Sequence, residues 1–379
     1  MTNQILIYEP AVAGHHLTLL RCVLEDLVNA GIPVCAALSP GPEDQDRIRS
    51  KLGSVYDSVR ICAASATRPL PGAAELLTET ASSHVLFPNL DEFASSMLRR
   101  ASFGLMPPAV LRGKISGIYV RPRCLLGLKA APKEWTKALG FTRMLKAGWF
   151  HRIFLQDELL VARAPHRFRD RFAHVPEPFS GSFPSSLASA RLRLGVPQSR
   201  LVLLHYGVAS RRKGLHLTVR ALLQLPPGRR PFLLCAGPQA HDPEVNSGLN
   251  QLACEGDALI LDRFILDDEE ADLFSASDVI LLTYQGHFGI SAIQVRAAVA
   301  GRVIIASDEE LVGRHAREYK LGWLFPPGDV AALREILARL PLEGPLDQTP
   351  WQEGQRRYTQ VFSRENFRRT LVNAFKQGQ

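Results

Sequence analysis

Short, unbroken apolar runs along the chain alternate with longer stretches whose apolar residues recur every three or four positions. The runs at residues 5–8 and 33–38 flank a helical period over 17–30, which Gly31 stops. In the second half the same rhythm returns. Runs at 201–206, 231–236, 258–261, 278–284 and 302–306 enclose helical periods at 215–225, 269–275 and 291–300. Short strands alternating with helices predict parallel sheets built from βαβ units.

The rhythm breaks at residues 176–189, which read PEPFSGSFPSSLAS. A stretch rich in Pro, Ser and Gly is linker chemistry. It predicts an α/β chain of two doubly wound Rossmann-like domains, residues 1–180 and 181–350. These would face each other across a cleft at the carboxyl ends of their strands, where such sheets bind ligands. Residues 351–376 carry Tyr358, Phe362, Phe367, Leu371 and Phe375 along a helical pattern. A C-terminal helix within 351–379 is therefore expected to pack back on the first domain.

Composition narrows the class without changing this outline. Of 379 residues, 46% are hydrophobic and 22% charged, which excludes a disordered, collagenous or coiled-coil chain. The six cysteines (Cys22, Cys35, Cys62, Cys124, Cys235, Cys254) form no C-x-x-C pair and have no His at ligand spacing. That argues against zinc or a disulfide framework and suits a reducing cytoplasm. Neither a signal-peptide pattern nor a membrane-spanning apolar stretch is present, so the expectation is a cytoplasmic protein.

Charge adds a second feature. Residues 99–171 hold 16 Lys or Arg against four acids, a local +12 in a chain whose total is +8. A block of this sign implies an anionic partner. Within it, residues 133–150 read as one helix carrying Trp135, Leu139, Phe141, Leu145 and Trp149 beside Lys133, Lys137, Arg143 and Lys146. This is the pattern of an interfacial anchor at the inner face of an anionic membrane. A surface helix packed on its own domain has the same pattern. No zinc finger, aromatic RNA motif or recognition helix accompanies the charge, so nucleic acid is not expected.

Three turns carry candidate chemistry. The segment 206–214, YGVASRRKG, follows a strand and opens a helix. Gly207 permits the turn, amides at the helix start attract an anion, and Arg212 and Lys213 place full positive charge where a diphosphate would lie. The segment 284–291, YQGHFGIS, has the same strand–turn–helix setting. There the Gly289, Ile290 and Ser291 amides sit at a helix start, and His287 is placed to donate to a phosphate or a sugar hydroxyl. In the first domain, Gly14, His15 and His16 follow the first strand and are expected at the mouth of its sheet, as substrate contacts. Asn89 and Asp91, after the apolar run 85–87, should face the same side, Asp91 as an acid/base candidate or a helix cap. The acidic run 267–270 opens a helix, where acids favour the macrodipole, and no metal site is expected.

These residues in this order resemble the GT-B glycosyltransferases, specifically the large group of retaining, family-four-like enzymes (glycosyl transferases group 1). The stretches ARLRLGVPQSRLVLLHYGVASRRKGLHLTVRAL, DRFILDDEEADLFSASDVILLTY, GHFGISAIQVRAAVAGRVIIAS and EYKLGWLFPPGDVAAL carry the resemblance in the second half. GHHLTLLRCVLEDLVNAGIPV and HVPEPF carry it more sparsely in the first. The resemblance implies a metal-independent retaining transferase with no cofactor. It would use a nucleotide-diphospho-sugar, a UDP-sugar foremost, and an acceptor hydroxyl on a molecule that is anionic or lipid-linked. It implies that Lys213, with Arg212 or Arg211, pairs with the diphosphate, that the 289–291 amides hold the phosphates, and that Arg263, Phe264 and Ile265 contact the base. Asp278 stands at the family's usual aspartate.

The chain departs from the family at its paired acids. Counting back from Gly301 places them at Phe288 and Arg296, and counting from Phe288-Gly289 places them at Gly286 and Gln294. Neither register keeps an acid, which transfers ribose binding to Gln294. Val208 replaces an Arg, and no His stands in residues 116–121, so His84 or His15 is the substitute. The missing acids also admit a second reading, a catalytically silent GT-B-like binding or scaffold subunit.

Overall fold

The computed structural model describes residues 4–12, 15–41, 43–129, 131–239, 242–344 and 346–376. It divides into two compact units, residues 1–178 with 363–379, and residues 179–362. The first unit is a seven-stranded parallel sheet in the order β3-β2-β1-β4-β5-β6-β7. Its strands are β1 (Ile5–Tyr8), β2 (Val34–Leu38), β3 (Arg60–Ala63), β4 (His84–Phe87), β5 (Ile115–Tyr119), β6 (Phe150–Leu155) and β7 (Phe172–His174). Helices α1 (His15–Asn29), α2 (Gln45–Leu52), α3 (Pro69–Glu79), α4 (Asp91–Ser102), α5 (Pro132–Lys146) and α6 (Glu158–Ala162) connect them. β1 buries both faces: Leu6 and Tyr8 enter one core and Ile5 and Ile7 the other. That two-sided burial is what an unbroken apolar run encodes.

The second unit starts with α7 (Leu187–Leu194) and continues through β8 (Val202–Tyr206), α8 (Leu215–Leu223), β9 (Phe232–Ala236), α9 (Pro243–Cys254) and β10 (Ala258–Leu261). It is completed by α10 (Asp267–Ala276), β11 (Val279–Leu282), α11 (Ala292–Val299), β12 (Val303–Ser307), α12 (Glu310–Glu318), β13 (Gly322–Phe325), α13 (Val330–Ala338) and α14 (Thr349–Val361). Its six strands are parallel in the order β10-β9-β8-β11-β12-β13. In both sheets the chain winds outward from one strand, returns beside it and winds the other way. The switch points lie between β1 and β4, and between β8 and β11, the places where doubly wound sheets bind ligands.

Two expected helices are shorter than their apolar patterns. The period over 133–150 ends at Lys146, because Gly148 takes a positive φ of 72° and turns the chain into β6. Trp149 and Phe150 are core residues rather than part of an interfacial face. α5 lies close on α4: a Cβ at Gly140 would come within 1.8 Å of the Leu98 carbonyl oxygen. The period over 351–376 is two helices. α14 stays with the second unit, Phe362 is buried there, and α15 (Arg364–Lys376) joins the first. The Ser363 hydroxyl accepts from the Asn366 amide and restarts the helix. Arg364 then donates to Asp26 (2.5 Å) and to the Cys22 carbonyl (3.2 Å), fixing α15 to α1.

Candidate functional site

In the second unit the residues after β8 and β11 form one structure. Gly207 adopts φ 92° at the end of β8, and residues 211–213 make a single 3-10 turn before Gly214, at φ 73°, starts α8. Gly214 has no alternative, since a Cβ there would lie 1.6 Å from the Thr283 carbonyl oxygen. The Thr283 hydroxyl lies 3.1 Å from the Lys213 carbonyl oxygen and 3.1 Å from that of Gly214, as their donor, and the Gln285 amide donates to Arg212 O at 2.8 Å. The turn at 206–214 is thereby tied to the turn at 284–291.

Lys213 points back over its own turn. Its Nζ donates to the Tyr206 carbonyl at 3.1 Å and stands 5.9 Å from the Tyr284 ring centroid. Loss of hydration, with Arg212 and Arg296 nearby, lowers its pKa to about 8. An ammonium held this way is under-neutralised and favours an anion. Arg212 Nη1 lies 2.5 Å from His287 Nδ1, while His287 Nε2 lies 3.2 Å from the Ile290 carbonyl. A guanidinium only donates and a carbonyl only accepts, so these contacts fix the neutral Nε2–H tautomer. His287, expected to donate to a ligand, instead spends that proton on Ile290 and uses its other nitrogen to aim Arg212. The Tyr284 hydroxyl and Ser291 hydroxyl, 2.9 Å apart, close the turn from below, and Ser291 caps α11.

The other expected donor contacts divide. Phe264 is 71% exposed after β10, a free aromatic face, whereas Ile265 is buried and Arg263 is held bidentate by Glu269. Gln294 is fully buried. Its amide nitrogen donates to Val312 O at 3.1 Å and braces α11, while its Oε1 is buried and accepts no hydrogen bond among the described residues. Arg296, in the other register, donates to Glu270 Oε1 (2.7 Å), whose Oε2 accepts from the Tyr206 hydroxyl (2.6 Å). Asp278 is structural: it is buried against Arg191 at 2.5 Å and accepts from the Val202 amide at 2.7 Å.

Sequence reasoning missed one acid here. Glu309, after β12, accepts from the Gly286 amide through Oε1 at 2.8 Å. Its Oε2 is buried and accepts no hydrogen bond among the described residues. In the sequence it is one of three consecutive acids before a helix, indistinguishable from a cap.

In the first unit the switch point holds a second missed acid. Glu9 is 0% exposed at the end of β1. Its Oε1 lies 3.2 Å from His16 Nδ1, a hydrogen bond that raises the His16 pKa, and its Oε2 accepts from the Asn89 amide. His16 and Asn89 are therefore brought together, as expected. Gly14 and the side chain of His15 lie outside the described residues. Asp91 is not placed as an acid/base: its two oxygens accept from the Val120 (2.7 Å) and Arg121 (2.9 Å) amides and join β5 to α4. His84 cannot substitute for the missing histidine, because it opens β4 at the far end of the strand. There its ring packs at a tilt, 4.1 Å from that of His151, and burial lowers its pKa to about 4.

Among the described residues no three His, Cys, Asp or Glu side chains are grouped to hold a metal ion, and no helix is long and apolar enough to cross a membrane.

Comparison with known proteins bears out the resemblance. Residues 189–357 match the family described as glycosyl transferases group 1. Solved structures match along nearly the whole chain at low identity, which establishes the GT-B fold. Alr3699/HepE from Anabaena, in complex with UDP, superposes with a TM-score of 0.71 at 14% identity, over 99% of this chain and 100% of its own. Sucrose-phosphate synthase from Thermosynechococcus elongatus gives 0.68 at 17% identity, over 99% and 98%. A glycosyltransferase from Rickettsia africae gives 0.67 at 16%, over 99% and 98%. HepE has also been solved with UDP-glucose. No curated protein matches the chain in sequence.

Proposed function

We propose that this chain, whose residues 189–357 match the group 1 glycosyl transferases, is a metal-independent retaining glycosyltransferase that moves a sugar from a UDP-sugar to an acceptor hydroxyl. The observation that carries the proposal is the tie between the turns after β8 and β11, which joins Arg212, next to Lys213, to His287. Two cations and the 289–291 amides suit a diphosphate, and they would stabilise the charge that develops on it as the glycosidic bond breaks. Phe264 offers its face to the uracil. The acceptor oxygen would form its bond to the anomeric carbon from the face that UDP leaves, passing its proton to the departing phosphate oxygen. Glu309 Oε2 would accept from a hydroxyl of the donor sugar, a carboxylate supplied from the next loop where the family acids are missing. The N-terminal unit, with His16 and Asn89 at Glu9, would take the acceptor.

The test is release of UDP from UDP-glucose, with and without acceptors, by the wild type and Lys213→Ala. Turnover that survives the substitution unchanged removes Lys213 from the reaction. The second reading, a binding subunit without turnover, has its support in Gln294 and Arg296, neither an acid and both committed to internal bonds. Tight UDP binding with no turnover would favour it.

For the first unit we infer peripheral contact with an anionic membrane. Trp135 and Leu139 stand about half exposed on α5, between Lys133 and Lys146.

A further inference from the structure

At the end of the first sheet opposite the switch point, strands β4, β5 and β6 begin among cations. Lys114 directly precedes β5, and its carbonyl accepts from the Val85 amide, which sets it beside His84. β6 carries one extra residue, His151, between the pairs Ile115–Phe150 and Ser116–Arg152. A bulge of this kind re-aims side chains locally. Side chains alternate along a strand, so His84 shares a face with Leu86, Ser116 with Ile118 and Arg152 with Phe154, in the core that also holds Phe375 of α15. The Phe375 ring lies 6.2 Å from that of His84 and 5.7 Å from that of His151.

The charge here is one-sided. Lys114 acts on His84, and Arg152 and Arg171 act on His151, each disfavouring protonation of the ring it faces. Lys114 and Arg152 make no ion pair among the described residues, and Asp170, the acid that acts on Arg152, stands 3.5 Å from Arg171. α15 brings Lys376 in its last turn, while its Glu365 lies in the first turn and is bonded to Arg368. Elsewhere the chain answers its enclosed arginines: Arg191 has Asp278, Arg230 has Asp257 and Arg364 has Asp26. Three cations against one acid leave a positive excess even with both histidines neutral, and an anion that neutralises it stabilises the fold by mass action.

The imidazoles can add to that charge. The Ser83 hydroxyl donates to Gln4 O at 3.1 Å, so its 3.0 Å contact with His84 Nδ1 is a bond from the ring N–H. His151 Nε2 donates to Ala374 O at 3.2 Å. Each ring thus keeps one unprotonated nitrogen, His84 Nε2 and His151 Nδ1, which becomes a donor on taking up a proton. Beside Arg152 in register, Ser116 has a buried hydroxyl with no hydrogen-bond partner among the described residues.

We propose that this end of the sheet binds a tetrahedral dianion, a phosphate group or sulfate, between Lys114 and Arg152, and that His84 and His151 take up protons as it enters. The site goes beyond the glycosyl-transfer reading and does not rest on it. It lies at the opposite end of the strands from Glu9 and Asn89, which follow β1 and β4. Neutralising the cluster also strengthens the seat of α15, whose Ala374 carbonyl accepts from His151.

The experiment titrates sulfate into the full chain by calorimetry at pH 5 and pH 7.5, with chloride holding the ionic strength constant. Sulfate is a dianion at both values, and Lys213, with its pKa of about 8, remains mostly charged at both. Burial lowers the pKa of both histidines, so the free rings are neutral at pH 7.5 and gain protons only as the anion binds. The expected result is saturable binding with proton uptake, about tenfold tighter at pH 5. Arg152→Gln or Lys114→Gln should weaken it about tenfold without lowering the urea midpoint, since neither cation is paired. His84→Gln with His151→Gln should flatten the pH dependence, and Lys213→Ala should leave sulfate binding unchanged. Methyl phosphate against inorganic phosphate at pH 7.5 then separates a phosphomonoester from the free ion as the better ligand. Binding that does not saturate, that is equal at the two pH values, or that is lost in Lys213→Ala but kept in Arg152→Gln overturns the proposal.

Discussion

Arg212 and His287, 75 residues apart in sequence, meet at 2.5 Å, and the contact converts two unrelated turns into one cationic seat. The histidine accepts from Arg212 and donates to Ile290, so it orients the guanidinium. His287→Ala should leave the fold intact and release Arg212. A charge-assisted hydrogen bond contributes about 1.5–3 kcal/mol when shielded and less when exposed, as Arg212 is. UDP affinity should therefore fall about threefold to tenfold, read by calorimetry, with no change in the urea midpoint.

Substitution of Glu309 would separate the proposed sugar contact from nucleotide binding. Glu309→Gln keeps a carbonyl oxygen to accept from the Gly286 amide and removes the charge on the buried second oxygen. UDP should bind as before, while UDP-glucose loses affinity or turnover by about tenfold, the equivalent of 1.4 kcal/mol. Comparing the two ligands on one variant checks it.

Gly214 and Gly31 share a left-handed backbone but not their surroundings. A Cβ at Gly214 meets the Thr283 carbonyl at 1.6 Å, and at Gly31 it meets nothing within 4 Å. Gly31→Ala should cost about 1–2 kcal/mol, the left-handed penalty alone. Gly214→Ala adds a backbone collision that only separating β11 from the 206–214 turn relieves, and should cost about 3 kcal/mol or more together with UDP binding. Urea unfolding of the two variants checks the difference.

Vesicles containing phosphatidylglycerol should retain the protein at low salt and release it at high salt, since screening weakens surface charge attraction. Trp135→Glu with Leu139→Glu should abolish retention without altering UDP binding. Retention at no ionic strength would reduce α5 to a packing helix.

Both sheets were legible where every strand is apolar on each position, because two-sided burial leaves an unbroken run: 5–8, 279–282 and 303–307 are of this kind. β3 is an edge strand that begins with an exposed Arg60, and β6 contains His151 and Arg152, so neither carries that signal. The junction of α5 and β6 was hidden because Trp149 and Phe150 extend the helical period, and only Gly148 betrays the stop. The two cationic and glycine turns were readable from composition and their place after a strand. Their joining was not, for it depends on contacts across 75 residues. Glu9 and Glu309 were missed for a common reason. Each is an acid just past a strand, and only the folded structure reveals that its carboxylate is enclosed.

Whether protonated Lys213 holds a diphosphate is decided by calorimetric titration of UDP into wild type and Lys213→Ala from pH 6.5 to 9.5. Burial has lowered the lysine's pKa to about 8, so the cation is fully present below that pH and is lost above it. Wild-type affinity should be highest at pH 6.5–7 and fall as pH rises through about 8. Lys213→Ala should bind roughly thirtyfold more weakly at pH 7, about 2 kcal/mol, and show no such fall. Equal affinity of the two proteins at pH 7, with matching pH profiles, would contradict the account.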